Sequence, residues 1–284
     1  MSHQPQPILY ETHMHTPLCR HAKGDPEAYA QQAELRGLRG MVVTCHNPMP
    51  GGFAQSSRMY LEQWEEYFAL VARARAAWAG RIDVRLGVEC DFFPGMEAWI
   101  EKQLATAKFH HVLGSVHPHL GEYRKAFWHG DAVAFQEQYF ALLAEAAETG
   151  LFDTISHPDL VKNIAPSEWQ VQRVFPAIER ALDRIAKTGV AMELNTSGLN
   201  KTIAEMNPGP EILAAMARRG IPVVVGADAH APERVADRFE EAYDLMEAAG
   251  YREVHFFLDR RRQTVTLNAA RESLLKPAET SAGN

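Results

Sequence analysis

The sequence predicts an α/β barrel of parallel strands, and three observations carry that expectation. Short β-rich runs alternate with amphipathic helical stretches along nearly the whole chain, the pattern of βα units with right-handed crossovers. Several runs, such as MVV at 41–43 and PVVVGA at 222–227, are almost wholly apolar, as strands covered on both faces are. Nearly every run ends in a polar residue. In a closed barrel those C-terminal ends ring one mouth, whereas in an open doubly wound sheet they would spread along an edge. Seven or eight such units in 284 residues fit one barrel better than two domains.

In chain order, the expected strands are residues 8–13, ending at His13, then 41–46, ending at His46, and 84–89, ending at Glu89. Residues 111–117 end at His117, 152–157 at His157, 190–195 at Asn195 and 222–228 at Asp228. An eighth strand, 253–258, is weakly patterned. A helix is expected over 26–38, with Asp25 as N-cap and Pro26 at the first helical position. Others are expected over 59–79, 131–149, 167–187, 210–219 and 232–249, the last four each followed closely by a terminating glycine. The segments before residue 8 and from about 277 read as frayed ends.

Composition bounds the function. Apolar residues are 46% and charged residues 23%, an ordinary globular balance. Twenty-nine Lys and Arg against 36 Asp and Glu leave a net charge of −7, which argues against a long nucleic acid or an acidic membrane as partner. Cys19, Cys45 and Cys90 are widely spaced with no CxxC pair, so no disulfide framework is expected. No apolar run approaches the length of a membrane span, and the start lacks a secretory h-region. A soluble cytoplasmic protein is the expectation. The oligomeric state is not legible.

The thirteen histidines carry most of the functional signal. His13 and His15 form an HxH motif, and two residues apart on an extended segment they face the same way. His21 follows in a proline-containing loop, then come His46, Glu89, His117, His157 and the pair Asp228 and His230. Each alone reads equally as a polar strand end or, for Glu89, as half of a buried ion pair. Together, seven imidazoles and two carboxylates at strand ends point to two or more metal ions. His3, His110, His111, His119, His129 and His255 fall elsewhere or out of phase and stay outside this set.

This ordered set resembles the polymerase-and-histidinol-phosphatase (PHP) superfamily, and within it the histidinol-phosphatases. HxH, a loop histidine, the His of strand two, G-x-E, S-V-H, S-H-P-D and D-x-H occur in the family's order between about residues 8 and 260. HTPLCRH, LGVECDFFPG, GSVHPH, SHPDLVK and ELNTSGLNK carry the narrower likeness. The resemblance implies a distorted (β/α)7 barrel as a single metal-dependent phosphoesterase domain. It implies three divalent ions, zinc, iron or manganese: one on His13, His15, Glu89 and Asp228, a second on Glu89, His117 and His157, a third on His21, His46 and His230. Glu89 would bridge two ions, and Glu89, Asp228 and His230 are the catalytic candidates. One departure stands out. Where many relatives have Thr-Asp-His, this chain has Thr44-Cys45-His46, so either a supporting carboxylate is lost or the thiol points into the core.

The implied reaction is hydrolysis of L-histidinol phosphate by metal-activated water, in histidine biosynthesis. The implied partner is therefore a small phosphorylated amino alcohol. Lys162, Arg124, Lys201 and Asn200 lie on expected C-terminal loops and are the phosphate-contact candidates. Glu122 is the candidate for the substrate's cationic group. Each also reads as a solvated surface residue. The rivals are another small-molecule or nucleotide phosphoesterase of the superfamily, a noncatalytic metal-binding module, and an amidohydrolase. The last commonly uses a strand-ending lysine, and none appears here.

Overall fold

A computed structural model describes residues 6–275; His3 and the segment from 277 onward lie outside them. The strands are β1 (Tyr10–Glu11), β2 (Gly40–Val43), β3 (Asp83–Leu86), β4 (Val88–Asp91), β5 (Val112–Ser115), β6 (Thr154–Ile155), β7 (Ala191–Asn195), β8 (Val223–Gly226), β9 (Glu253–Leu258) and β10 (Arg261–Thr266). They ladder into two sheets, β1-β2-β3 and β10-β9-β8-β7-β6-β5-β4, parallel throughout except for β9–β10.

Two seams join the sheets, both just past the C-terminal strand ends. His46 bridges to Glu89, and Met14 to Ala229. Backbone bonds hold the second seam, His15 N donating to Ala229 O at 2.9 Å and Ala229 N to His13 O at 3.0 Å. The result is a distorted barrel drawn together at its mouth rather than one continuous closed ladder. At the opposite end the β9–β10 hairpin fills the gap between β1 and β8. Phe256 stacks on Tyr10 at 5.1 Å there, and His255 pairs with Val224.

β3 and β4 are one expected strand interrupted at Gly87. A side chain on Gly87 would meet Thr44 and Val42 at 2.7 Å and the His111 carbonyl at 2.8 Å. Only glycine lets the sheets approach so closely there.

The helices are α1 (Pro26–Leu35), α2 (Trp64–Ala77), α3 (Glu97–Leu104), α4 (Gly121–Phe127), α5 (Ala132–Glu148), α6 (Val171–Ala186), α7 (Pro210–Arg218), α8 (Phe239–Ala249) and α9 (Leu267–Ser273). The longer helices bury an apolar stripe; in α6 it is Val174, Ile178, Ala181, Leu182 and Ile185, the spacing of a half-buried helix. Asp131 caps α5 by accepting from Val133 N and Ala134 N. Asp25 caps nothing, because its carboxylate accepts from Arg73 at 2.7 Å; the start of α1 rests on Pro26.

Four expected helices are shorter than the pattern suggested: α1 stops at Leu35, α6 starts at Val171 after a 3-10 turn over Pro166–Glu168, and α2 and α8 both start late. Before α2, residues Leu61–Gln63 form a 3-10 turn. Between Pro232 and Phe239 the chain breaks at Ala236 and Arg238, both with positive φ. Side chains hold that break: Ala236 N donates to Glu11 Oε2 at 3.0 Å, and Arg36 donates to Ala236 O at 3.2 Å. Among the described residues no helix is long and apolar enough to cross a membrane.

Candidate metal centre

The mouth gathers all nine sequence-predicted residues around Glu89, which is buried. Its Oε2 lies 2.7 Å from His46 Nδ1, 3.5 Å from His13 Nε2 and 3.6 Å from His15 Nε2. Its Oε1 lies 3.1 Å from His157 Nε2 and 3.5 Å from His117 Nε2. Asp228 Oδ1 sits 3.0 Å from His15 Nε2 and 3.6 Å from His13 Nε2. At the rim, His21 Nε2 is 2.8 Å from His230 Nε2.

Five overlapping groups of side chains have donor atoms close enough together to share one ion: His13, His15 and Asp228; His15, His46 and Glu89; Glu89, His117 and His157; His21, His46 and His230; and His15, Cys19 and His230. Backbone geometry helps aim them. His157 and Asp228 hold left-handed backbone, φ 28° and 49°, a conformation kept only where the surroundings enforce it. Glu193 Oε2 accepts from His157 N, and Tyr139 donates to its carbonyl.

The hydrogen-bond partners point to what these atoms lack. His13 Nδ1 bonds Glu193 Oε1 at 2.6 Å, and His117 Nδ1 bonds Asp91 Oδ1 at 2.6 Å. A carboxylate only accepts, so in each neutral ring Nε2 keeps its lone pair. The same reasoning applies at the rim. His21 Nδ1 bonds Cys19 O and His230 Nδ1 bonds Asp228 O, so two lone pairs face each other across 2.8 Å. His13 Nε2, His46 Nδ1 and Glu89 Oε2 are buried without a hydrogen bond of good geometry, although the last two lie only 2.7 Å apart. Such an arrangement is costly by itself and is what a cation relieves; the residues fit metal ions. Carboxylate partners behind metal-binding histidines are the usual support.

Electrostatics point the same way. Burial works to raise Glu89 and Asp228. The surrounding imidazoles, His46 and His13 foremost at Glu89 and His13 and His15 at Asp228, outweigh it and hold both carboxyls well below the usual range. Both remain charged and available as ligands.

Above these groups opens a cavity of about 760 Å³, continuous with a side lobe of about 320 Å³ through His21, Lys201, Asp228 and His230. Lys201 lines both lobes and Asn200 the smaller. Lys201 Nζ donates to Ser197 Oγ at 3.1 Å, and that hydroxyl, with one proton to give, lies 2.6 Å from Asn195 Oδ1 and 3.1 Å from Asp228 Oδ2.

The other substrate-contact expectations need correction. Lys162 is fully buried, with its ammonium on Asp159 Oδ2 (3.0 Å), Glu205 Oε2 (2.9 Å) and Met206 O (2.9 Å). Its three protons are spoken for, so it braces the loops and has none left for phosphate. Lys162→Ala would strand buried Asp159 without its cation, at about 3–5 kcal/mol. Urea unfolding should show that loss while KM stays near the wild-type value. Glu122 accepts from Ala54 N at 3.0 Å and pins the 50–58 loop. Arg124 is exposed and lies over Trp128 at 5.6 Å; it lines neither lobe.

Cys45 is buried beneath the mouth, its sulfur 3.2 Å from Thr16 Oγ1 and 3.4 Å from Thr16 N. The thiol therefore points into the core, and the carboxylate beside His46 Nδ1 is that of Glu89, at 2.7 Å. His119, excluded above, stands exposed on the cavity wall with its ring 5.5 Å from that of His117.

Sequence reasoning missed Glu193, Asp91 and Arg58. Glu193 interrupts the apolar run VAMEL, the same signal that singled out Glu89. Asp91 follows Glu89 by two on one strand and so shares its face. Arg58, in an unpatterned loop, had no signal.

A family model described as PHP domain matches residues 11–197. The chain belongs to the PHP family. A protein of Deinococcus radiodurans named "Probable histidinol-phosphatase" is 42% identical over 255 residues, 87% of this chain and 96% of that one. The histidinol-phosphatase of Bacillus subtilis is 25% identical over 257 residues, 80% of this chain and 96% of its own. In fold, the chain is similar to the histidinol phosphate phosphatase of Lactococcus lactis, crystallised with zinc, L-histidinol and phosphate. The TM-score is 0.75 at 18% identity, covering 89% of this chain and 98% of that one. Asp228 and His230 lie beyond the segment matched by the PHP model, and the β1–β8 seam brings them to it.

Proposed function

We propose that the protein is a histidinol-phosphatase, hydrolysing L-histidinol phosphate to L-histidinol and phosphate in the cytoplasm, as a step of histidine biosynthesis. The observation that carries this reading is the 42% identity with the Deinococcus protein over nearly the full length of both chains. The buried cluster of unpaired donors supplies its chemistry. His13, His15, Glu89 and Asp228 would hold one ion, Glu89, His117 and His157 a second, and His21, His46 and His230 a third. Mixed nitrogen and oxygen donors suit zinc, iron or manganese. Such ions, when bound, supply an activated water and balance the charge that gathers on phosphorus.

The chain's own groups do the rest. Glu193 and Asp91 hold His13 and His117 in one tautomer. Lys201, which lines both lobes, brings a cation toward the phosphate. Asp228 is joined to Lys201 through Ser197, which ties that ammonium to the edge of the ligand set. The three cysteines are buried, so no thiol nucleophile is invoked. The whole described chain serves this one domain.

Phosphate release should be measured over a panel of L-histidinol phosphate, other amino-alcohol phosphates, sugar phosphates, mononucleotides and a dinucleotide. Histidinol phosphate should give the highest kcat/KM by at least about 100-fold, a gap of about 2.7 kcal/mol in transition-state binding. A nucleotide or sugar phosphate in first place would overturn the substrate and leave a metal-dependent phosphoesterase of another specificity.

A further inference from the structure

Arg58 is one of the largest fully buried side chains of the molecule, and it lies on the wall of the mouth. A buried guanidinium beside a phosphate site invites the reading of a phosphate clamp, but its hydrogen bonds point the other way. Nε donates to Asp91 Oδ2 at 2.5 Å and Nη2 to Asp91 Oδ1 at 2.8 Å, a two-pronged grip on one carboxylate. Nη1 donates to Ser57 O at 2.8 Å and Ser57 Oγ at 3.3 Å. The carboxylate that Arg58 grips is the one that bonds His117 Nδ1 at 2.6 Å. Nη2 itself packs 3.1 Å from that ring nitrogen.

We propose that Arg58 is a positioning residue for the phosphatase reaction. Acting through Asp91, it fixes the tautomer and aim of His117, and it ties the 50–58 lip of the mouth to the floor beneath. This rests on the metal-centre reading given above.

The physical case has three parts. Asp91 is fully buried, and an unpaired carboxylate there would be costly; the guanidinium offsets that cost and sets the plane of the carboxylate. With that plane set, Oδ1 and Nη2 both approach His117 Nδ1; the carboxylate contact is the shorter, 2.6 Å against 3.1 Å, and favours a proton on Nδ1, leaving Nε2 free toward Glu89 Oε1 at 3.5 Å. The lip is fastened at two points, Arg58 on Asp91 and Glu122 on Ala54 N, so the wall above the substrate and the His117 ligand share one anchor. A lysine has the charge but not the fork, and cannot reproduce this geometry.

Arg58→Lys and Asp91→Asn test the proposal, each purified with its metals and compared with the wild type. In chelator-competition titrations with zinc, both variants should bind one ion per chain about 10–100-fold more weakly, the usual effect of losing such an outer partner. At saturating zinc, kcat for L-histidinol phosphate should fall while KM stays within about twofold of the wild-type value. Nitrogen-15 NMR of the zinc-loaded wild type should show His117 protonated at Nδ1. A KM raised tenfold or more in Arg58→Lys, with zinc affinity unchanged, would make Arg58 a phosphate-binding residue and overturn the proposal. A proton on His117 Nε2 in the wild type would also overturn it. If Arg58→Lys does not fold, the Asp91→Asn titration and the wild-type spectrum still decide. Zinc affinity and tautomer are read without substrate, so an error in the substrate assignment would leave both tests standing.

Discussion

Glu89→Gln should lower kcat for L-histidinol phosphate by at least about 100-fold. The reason lies in the two faces of one carboxylate. Oε2 turns to His13, His15 and His46, and Oε1 to His117 and His157. No other side chain of the mouth touches both halves of the cluster in this way. An amide keeps the shape but carries no charge and presents protons on one side, where lone pairs are needed. Losing one strong transition-state electrostatic contact is worth about 10²–10³ in rate, and here the loss reaches two proposed ions at once. Steady-state kinetics with metal content measured in parallel would decide. Near-normal kcat in a fully loaded Glu89→Gln enzyme would defeat the bridging role.

Removing the metals should cost still more. Metal ions at phosphoryl centres supply several kcal/mol of charge stabilisation, and each 1.36 kcal/mol is tenfold in rate. Dialysis against a strong chelator should therefore reduce turnover by at least about 1,000-fold. Adding back zinc, manganese or iron separately should restore it to different degrees. The stripped mouth would bring lone pairs and carboxylates together with nothing between them, in the buried set around Glu89 and at the more open rim pair His21 and His230, 2.8 Å apart. A chelated enzyme that still turns over at the original rate would remove the chemical basis of the whole reading.

Much of this was legible in the sequence because a parallel barrel converts chain position into spatial position. A residue at a strand's C-terminal end must reach the mouth, so His13, His46, Glu89, His117, His157 and Asp228 could be grouped before any coordinates existed. What was not legible depends on backbone events without a repeating pattern. The interruption at Gly87 comes from close contact with Thr44 and Val42. The break before α8 comes from Glu11 and Arg36 reaching across the fold to Ala236. The β10 strand is polar and exposed along much of its length, so it lacks the apolar run that marks the others.

Charged loop residues were the weakest reading. Their sequence position says that they are near the mouth, not which way they turn. Lys162 turns inward to Asp159 and Glu205, Glu122 turns to a backbone amide, and only Lys201 and Asn200 of the five face a lobe of the cavity. Arg58 is the converse: an unremarked loop residue whose buried partner, Asp91, gives it a place beside His117. Pairing two residues 33 positions apart needs the fold.

The metal centre is the claim on which the rest stands, and anomalous diffraction from crystals of gently purified protein tests it most directly. Data collected at the zinc, iron and manganese edges, with elemental analysis of the same preparation, should place three ions in the mouth. They should lie among His13, His15, Glu89 and Asp228, among Glu89, His117 and His157, and among His21, His46 and His230. An active preparation without metal in the mouth, or with its ions bound elsewhere, would contradict the account.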